Sequence, residues 1–381
     1  MLNSSFRGKD VSRLGFGLMR LPAPPDRPFD IDRAASEKLI DHAVSLGVNY
    51  FDTAYTYGGS EELAGAALSK YPRDSYFLAT KCPPWMVNNE GDFERIFAEQ
   101  QRRCKTDYFD FYLVHNLAKE GYRAAGNEEH FKSFIDIGMY DMLVKKKAEG
   151  CIRNIGFSFH GTLDILQKLI ERFVWDFAYI QINYVDWAAT AAKSQYEALC
   201  GKGIPVTVME PLRGGTLATL NDEAASLLKS ANPEASLASW GIRYAASLPG
   251  VLTVLSGMNA LPQLEDNVAT ISSLQPVTDR EKELLGKATE AYNKSGAIAC
   301  TGCGYCMPCP QGVNIPAVFS VYNYTMVKKN RYPFDNGYST LSESEKASGC
   351  VGCGLCAEKC PQHLDIPRHL EDIDKYAGLA V

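Results

Sequence analysis

The 381-residue sequence lacks the features that define several classes of protein. No apolar run reaches the roughly 18 residues that a membrane-spanning helix needs, and the first residues lack the basic-then-apolar pattern of a secretory signal. Acidic residues outnumber basic ones, 45 to 39, which gives a net charge of -6 and no general attraction to nucleic acid or to an anionic membrane. We therefore predict a cytoplasmic protein that binds neither nucleic acid nor a membrane.

Two common nucleotide-binding motifs are also missing. No G-x-G-x-x-G follows the first predicted strand, where Gly15-Phe16-Gly17-Leu18-Met19 continues into Arg20, and no Walker loop occurs. The sequence therefore gives no support for a Rossmann-type cofactor site. Its composition, with 46% hydrophobic and 22% charged residues, is that of a globular protein, and its length predicts one large or two unequal domains.

The cysteines are distributed very unevenly. The first 299 residues contain only four of the twelve, namely Cys82, Cys104, Cys151 and Cys200. The other eight form two blocks, Cys300-Thr-Gly-Cys303-Gly-Tyr-Cys306-Met-Pro-Cys309-Pro and Cys350-Val-Gly-Cys353-Gly-Leu-Cys356-Ala-Glu-Lys-Cys360-Pro. In each block an Ile-Pro pair begins six residues after the last cysteine, so the two blocks are an internal repeat.

These blocks predict two [4Fe–4S] clusters, because soft thiolates suit such clusters and the second block matches the C-x₂-C-x₂-C-x₃-C-P run of bacterial ferredoxins. A Cys₄ zinc site and free or disulfide-bonded thiols are the alternatives. In two-cluster ferredoxins the fourth cysteine of each run binds the other cluster. The predicted sites are therefore Cys300, Cys303, Cys306 with Cys360, and Cys350, Cys353, Cys356 with Cys309. The first block departs from the run in having only two residues before Cys309.

Apolar strand-like runs alternate with stretches of helical periodicity over the first 275 residues. Eight such units in this length predict a (β/α)₈ barrel, with a doubly wound sheet as the alternative. The predicted strands are Leu14–Met19, Val48–Asp52, Tyr76–Lys81, Phe109–His115, Ile152–Ser158, Phe177–Ile182, Pro205–Met209 and Val251–Ser256. We place a barrel domain at residues 1–294 and a small, mainly helical ferredoxin-like domain at residues 295–381.

Three predicted strands end in polar residues that can act together at the barrel mouth, namely Asp52, Lys81 and His115, and Tyr57 lies on the loop after the first of them. A tyrosine with a pKa near 10 is a poor acid at neutral pH unless a nearby ammonium favours its phenolate. Lys81 can supply that ammonium, Asp52 can keep it charged, and His115 can hydrogen-bond a carbonyl oxygen.

These residues resemble the Asp/Tyr/Lys/His tetrad of the aldo-keto reductases, a (β/α)₈ family that transfers hydride from NADPH to aldehydes and ketones. The resemblance covers roughly residues 10–275 through Phe-Asp-Thr-Ala-x-x-Tyr-Gly and short motifs. These motifs are Thr80-Lys81, Val114-His115, Gly156-Phe157-Ser158, Gln181-Ile182-Asn183-Tyr184, Glu210-Pro211-Leu212 and Asp266-Asn267. With the cysteine blocks, the whole chain resembles the branch of that family with a C-terminal ferredoxin-like domain.

The resemblance implies that Tyr57 is the general acid and that a nicotinamide cofactor binds at the strand ends. The implied cofactor-binding residues are Ser158, Gln181, Met209, Pro211, Leu212, Ser256, Gly257, Gln263 and Asn267. Ser158 and Gln181 correspond to contacts with the nicotinamide amide, and Gly257 and Asn267 to the adenosine half. Met209 stands where the family often has an aromatic residue that stacks on the nicotinamide. Gly257 and Gln263 stand where the family often has Lys and Arg for the 2′-phosphate of NADPH. Both NADP(H) and NAD(H) therefore remain candidate cofactors.

Hydride transfer moves two electrons at once, whereas each [4Fe–4S] cluster transfers one electron at a time. The sequence has no flavin-binding motif that would indicate a cofactor able to convert between two-electron and one-electron steps. Three hypotheses follow. In the first, the barrel interconverts a small carbonyl compound and its alcohol, and the clusters connect it to a redox protein partner, with a flavin as one means of connection. In the second, the chain is an electron-transfer protein whose barrel is a docking or nucleotide-binding module. In the third, the clusters are structural or sensory and the barrel works alone.

Overall fold

The computed structural model describes residues 1–24, 30–117 and 134–379. Over these residues the chain forms two compact units. The first contains residues 1–24, 30–117, 134–211 and 239–277, and the second contains residues 212–238 and 278–379. Contacts within the fold define these two units. The domain boundary between residues 294 and 295, which the sequence analysis places before the cysteine blocks, stays a prediction.

The first unit is a closed barrel of eight parallel strands, as the alternating apolar runs predict. Each strand pairs with the next one along the chain, and the last pairs with the first. The barrel strands are β3 (Leu14–Gly17), β4 (Tyr50–Asp52), β5 (Phe77–Cys82), β6 (Phe109–Leu117), β7 (Ile152–Phe159), β8 (Phe177–Gln181), β9 (Val206–Met209) and β10 (Val251–Ser256). All eight predicted strands are confirmed, so their carboxyl ends meet at one mouth of the barrel.

Helices connect successive barrel strands. Helix α5 shows why these segments pack on the sheet, because Ile165, Leu166, Leu169 and Ile170 repeat at helical spacing and are its buried residues. The helices assigned to this unit are α1 (Arg33–Ser45), α2 (Ser60–Leu68), α3 (Glu90–Cys104), α4 (Met139–Ala148), α5 (Leu163–Arg172), α6 (Asp186–Ala189), α7 (Ala192–Gly201), α9 (Leu237–Ala246) and α10 (Leu261–Ser272).

A β-hairpin that the sequence analysis did not predict precedes the barrel. Its strands are β1 (Asn3–Phe6) and β2 (Lys9–Ser12), which pair antiparallel. Phe6 packs on Phe111 with ring centroids 5.4 Å apart and belongs to the same buried cluster as Tyr50. Since Tyr50 and Phe111 lie near the amino ends of their strands, the hairpin contacts the barrel interior at the end opposite the polar strand ends.

The second unit is mainly helical. Helix α11 (Asp279–Asn293) begins with a capping box, in which Thr278 and Glu281 each bond the other's backbone, and it packs against α8 (Asp222–Ala231). The helices are α8 (Asp222–Ala231), α11 (Asp279–Asn293), α12 (Ile315–Lys328), α13 (Tyr332–Ser339), α14 (Leu355–Glu358) and α15 (Ile366–Gly378). In its core, Val318, Phe319 and Leu370 pack together with cysteines of both blocks. Among the described residues, no helix is long and apolar enough to cross a membrane.

Candidate active site and candidate metal centres

Three of the four predicted catalytic residues lie at or near the carboxyl ends of adjacent strands. Asp52 ends β4, Lys81 is the penultimate residue of β5, and His115 lies near the end of β6. Tyr57 is on the loop between β4 and α2. The fold therefore brings together all four residues of the predicted tetrad.

Lys81 is the centre of this group. Its ammonium donates to Asp52 Oδ2 at 2.7 Å, to the carbonyl oxygen of Thr53 at 2.7 Å and to the hydroxyl oxygen of Tyr57 at 3.3 Å. The side chain is almost completely buried, with 1% of the residue exposed. A buried ammonium with three acceptors has one fixed position, so Lys81 holds the Tyr57 hydroxyl beside a positive charge.

Burial opposes the charge on both members of the Lys81–Asp52 pair. It raises the pKa of Asp52, an effect that the Lys81 ammonium and a hydrogen bond from Tyr179 reduce. It lowers the pKa of Lys81, which the Asp52 carboxylate and, more weakly, Glu61 raise again. Each charged group therefore depends on the other to remain ionised.

His115 completes the site beside Tyr57. The two rings meet edge to face with centroids 5.8 Å apart, and His115 Nδ1 lies 3.4 Å from the Thr56 hydroxyl. Trp85 lies on the same histidine, with ring centroids 5.5 Å apart. A phenol and an imidazole side by side can direct two polar groups at one substrate oxygen, and the indole adds an apolar wall.

The structure adds a buried network that the sequence analysis missed. Glu61 on α2 accepts hydrogen bonds from Thr80 at 2.7 Å and from Gln100 at 2.8 Å, and Gln100 also donates to the carbonyl oxygen of Lys81. The Glu61 carboxylate also pairs with Arg103. This network holds Thr80 and the Lys81 carbonyl, both on β5. The one sequence signal for it is a Glu on the buried face of an amphipathic helix.

The predicted nicotinamide-binding residues lie at neighbouring strand ends. The Ser158 hydroxyl accepts a hydrogen bond from the backbone N–H of Asn116 at 2.8 Å, and Gln181 Nε2 donates to Asp186 at 2.6 Å. Met209 pairs in register with Gln181. These contacts fix polar donors and acceptors beside the tetrad strands, which fits an amide-bearing ring.

The remaining predicted nucleotide residues follow β9 and β10. Asn267 on α10 donates to the Ser256 hydroxyl at 3.0 Å, and both side chains are buried. Gly257 and Gln263 are exposed, and Gln263 accepts from the backbone N–H of Asn259. Pro211 and Leu212 come directly after Glu210 at the end of β9. The buried pair thus holds α10 against β10, next to the exposed glycine.

An ion pair and a set of hydrogen bonds at these strand ends were not predicted. Arg20, three residues after β3, pairs with Glu210 at 3.0 Å. Asp186 accepts from Asn183 at 2.6 Å as well as from Gln181. Arg20 was visible in the sequence only as the residue after a strand-like run, so its partner on a distant strand could not be inferred.

The structure brings cysteines of the two blocks together. Cys300, Cys303, Cys306 and Cys360 line one cavity, whose walls include Phe319 and Ile366. Cys356 lies near enough to Cys350 and Cys309 for their charges to act on its thiol, and burial raises its pKa to about 11. The exchange of fourth cysteines between the two blocks stays a prediction.

The thiol arrangement also bears on the alternatives. All twelve cysteines lie in the described ranges, and none forms a disulfide. Within those ranges, no group of three or more His, Cys, Asp or Glu side chains converges on a single metal ion. The eight block side chains are all soft thiol donors, and the second block has the spacing of the bacterial C-x₂-C-x₂-C-x₃-C-P run, so the donor set fits an iron–sulfur cluster.

Family models match both parts of the chain. The model described as the aldo/keto reductase family matches residues 13–285, and the one described as a 4Fe-4S dicluster domain matches residues 299–365. The first match spans more than half of the chain and includes the complete predicted tetrad.

Curated and structural relatives resemble the barrel. L-galactose dehydrogenase of Arabidopsis thaliana is 26% identical over 76% of this chain and 91% of its own. NADH-specific methylglyoxal reductase of Escherichia coli is 25% identical over 74% of this chain and 96% of its own. An aldo-keto reductase of Klebsiella pneumoniae, solved in complex with NADPH, superposes with a TM-score of 0.58 at 20% identity, covering 77% of this chain and 96% of the other. This last likeness shows the fold alone.

Proposed function

The chain belongs to the aldo/keto reductase family and is an NAD(P)-dependent oxidoreductase, and from that premise we propose that it transfers hydride between the nicotinamide cofactor and a small carbonyl compound, with Tyr57 as the general acid. The observation that carries the proposal is Lys81, which donates to Asp52 and to Tyr57 from a buried position. The names of the relatives, a sugar dehydrogenase and a methylglyoxal reductase, favour a small aldehyde, ketone or sugar as the substrate.

Each residue of the tetrad has a separate task in this proposal. Tyr57 gives its hydroxyl proton to the carbonyl oxygen of the substrate in the reducing direction and takes it back in the oxidising direction. Lys81 stabilises the phenolate that remains, and Asp52 keeps Lys81 charged despite its burial. His115, edge to face with Tyr57, directs a ring nitrogen at the same oxygen and fixes its position.

The nicotinamide cofactor, when bound, supplies the hydride. In the proposal, Ser158 and Gln181 hold the nicotinamide amide, and Ser256, Gly257, Gln263 and Asn267 lie along the adenosine half. Met209, Pro211 and Leu212 lie at the end of β9, next in the barrel to the β8 end that carries Gln181. The relatives include one named for NADH and one solved with NADPH, so the proposal includes both cofactors.

We assign the eight C-terminal cysteines to two [4Fe–4S] clusters, which supply one-electron steps when bound. The cavity lined by Cys300, Cys303, Cys306 and Cys360 supports the first of the two sites. In this proposal the clusters exchange electrons with a redox protein partner. This part of the proposal is separate from the carbonyl chemistry, because the four residues of the tetrad all belong to the barrel unit.

A structural role for the clusters is the second candidate, and one observation favours it. Cys356 and Cys360 are buried in the hydrophobic core of the second unit, and Cys300, Cys306, Cys309 and Cys350 pack against that core. A domain whose core is lined by metal ligands depends on its metal for folding.

The carbonyl chemistry is tested with purified protein that retains its clusters. NADPH and NADH with deuterium at both C4 positions are incubated anaerobically with methylglyoxal and other small aldehydes, and the alcohol products are analysed by mass spectrometry. We expect one deuterium on the former carbonyl carbon, and at least about 100-fold slower product formation from Tyr57→Phe. Unlabelled product would contradict hydride transfer, and labelled product at an unchanged rate from the variant would contradict the role of Tyr57.

The electron-transfer part is tested by following cluster absorbance and the paramagnetic signal of the reduced clusters. The clusters are first reduced with dithionite and then mixed with an oxidised one-electron carrier protein, such as a small ferredoxin. Rapid reoxidation supports an electron-transfer role. Clusters that reduce but stay reduced, in a protein whose second unit melts when iron is removed, would leave the structural role as the better assignment.

A further inference from the structure

The ion pair between Arg20 and Glu210 crosses one particular strand end. Arg20 follows β3 and Glu210 follows β9, and β10 is the strand between these two in the closed barrel. The guanidinium and the carboxylate are 3.0 Å apart. The pair therefore spans the carboxyl end of β10, the eighth strand of the barrel, and loops after the seventh and eighth strands are where barrels of this type frequently bind phosphate.

The residue after β10 leaves room for a ligand. Gly257 is exposed, and a side chain placed there would have its Cβ 3.5 Å from Arg20 Cβ and 3.9 Å from Arg20 Cδ. The Arg20 stem thus lies beside Gly257 and brings its positive charge from another strand to the end of β10. Gly257 and Gln263, which by the family resemblance stand where Lys and Arg often bind the 2′-phosphate, carry no charge of their own.

Glu210 is held in an uncommon conformation. Its φ of 52° lies in the left-handed region, which non-glycine residues seldom occupy. Asn183 donates to its carbonyl oxygen at 3.1 Å, and Asp186 in turn fixes Asn183. Such a conformation persists only where its surroundings impose it, and this network sets the position from which the Glu210 carboxylate meets Arg20.

Arginine is well suited to this position. Its planar guanidinium binds carboxylate and phosphate in the same two-pronged way, so one group can replace the other. The Arg20 side chain is 30% exposed and that of Glu210 is 13% exposed. Water reaches the guanidinium of this partly exposed pair, which reduces the contribution of the pair, so a better acceptor can displace the carboxylate.

We propose that Arg20 binds a phosphate group of the dinucleotide and that Glu210 holds Arg20 when no nucleotide is bound. This inference rests on the proposed function, because it assumes that a nicotinamide dinucleotide binds at these strand ends. The phosphate is either the diphosphate, which both cofactors carry, or the 2′-phosphate, which only NADPH carries. Arg20 then supplies the cation that Gly257 and Gln263 lack.

The test measures equilibrium binding of NADPH and NADH to the cluster-replete protein by nucleotide fluorescence, without turnover. We expect Arg20→Ala to weaken binding by about 10- to 100-fold, as for loss of a hydrogen bond to a charged group. Arg20→Lys should restore part of the affinity. An equal loss for both cofactors assigns the diphosphate, and a loss confined to NADPH assigns the 2′-phosphate.

Glu210→Gln provides the opposite change. Removing the competing carboxylate should tighten nucleotide binding by up to about fivefold, since a partly exposed ion pair contributes little. Arg95→Ala is the control, because Arg95 is also an ion-paired arginine but is more exposed and lies on α3, with Asp92 as its partner. Its nucleotide affinity should equal that of the unchanged protein.

The outcomes separate this inference from the function on which it rests. If both nucleotides bind and deuteride is transferred, but neither Arg20→Ala nor Glu210→Gln changes the affinity, the inference is wrong and the proposed function stands. If neither nucleotide binds to the unchanged protein, both are wrong. Folding of each variant is checked by its melting temperature and cluster absorbance, and Glu210→Gln decides if Arg20→Ala does not fold.

Discussion

The two units of this chain are built on different principles. The barrel closes eight strands around a core of apolar and aromatic side chains, and its candidate catalytic residues stand on strand ends that the core already fixes. In the second unit, Cys356 and Cys360 of the second block lie in the core itself, and cysteines of the first block pack against it. We therefore expect the barrel to keep its fold when its chemistry is lost, and the second unit to depend on its cysteines for both.

Burial has opposite uses in the two units. In the barrel, it isolates the Lys81–Asp52 pair from water, so that each charge depends on the other. In the second unit, Cys306 and Cys356 are thiols whose pKa burial raises, to about 12 and about 11, and metal binding requires their deprotonation. The barrel thus has its charges in place before a ligand binds, and the cluster sites acquire theirs with the metal.

The largest expected effect is a loss of hydride transfer without a change in the fold of the barrel. Tyr57→Phe should lower hydride transfer by about 100- to 10,000-fold, because it removes the general acid and leaves the ring in place. The melting temperature and the cluster spectrum should not change. Tyr55→Phe is the control on the same loop and should keep normal turnover. Comparable losses in both variants would mean that the loop, rather than the Tyr57 hydroxyl, is what matters.

A smaller loss is expected from Asp52→Asn. Without the Asp52 carboxylate, burial lowers the pKa of Lys81 further, so its ammonium is lost at a lower pH and turnover falls as pH rises. We expect at least about tenfold lower turnover at neutral pH, with the alkaline limb of the pH–rate profile moved by about one unit to lower pH. The charged and titratable groups that face Lys81 are Asp52, Tyr57, Glu61 and Tyr179, whose ring centroid is 5.7 Å from the ammonium.

Asp41→Asn is the matched control for this profile. Asp41 also pairs with a lysine, Lys70, at 2.6 Å, but both side chains are exposed. Its removal should leave the profile in place, since water screens such a pair. A profile that does not move in Asp52→Asn would show that the alkaline limb belongs to another group.

In the second unit, a single substitution should remove one cluster of two. Cys360→Ala and Cys303→Ala should affect the same cluster, because both cysteines line one cavity, and Cys309→Ala should affect the other. Iron content should fall by about half in each, and the paramagnetic signal should show which cluster is lost. Cys151→Ala, outside both blocks, is the control. If Cys360→Ala and Cys350→Ala lost the same cluster, each block would bind its own.

The sequence was more informative about the barrel strands than about their supports. All eight strands and the grouping of Asp52, Tyr57, Lys81 and His115 followed from apolar runs, strand ends and motifs. The hairpin β1–β2 was missed, since Phe6 gains its burial in a cluster with residues far along the chain, such as Phe111, about a hundred residues away. Local patterns predict elements that pack by their own periodicity, but not contacts that a distant residue creates.

Glu61 and Arg20 also make contacts that depend on residues far along the chain, which local patterns do not predict. Glu61 reads as a surface residue at the start of a helix, yet it is buried because Thr80 and Gln100 donate to it. Arg20 and Glu210 are 190 positions apart and meet only because the barrel closes. The cysteine blocks are the opposite case, since their spacing predicts iron–sulfur sites without any contact from a distant residue. The structure places Cys360 in one cavity with Cys300, Cys303 and Cys306, and the exchange of fourth cysteines stays a prediction.

The smallest expected effect concerns the four cysteines outside the blocks. Burial raises the pKa of Cys82, next to Lys81, and that of Cys104, so both should resist alkylation of the native protein at pH 8. Cys151 and Cys200 are partly exposed and should react slowly.

After iron is removed with a chelator, the eight block cysteines should react as well, while Cys82 and Cys104 stay protected. Mass spectrometry of iodoacetamide-treated peptides measures this pattern. Labelling of Cys82 after chelation would mean that the barrel needs the clusters to stay folded, and the contrast between the two units would no longer hold.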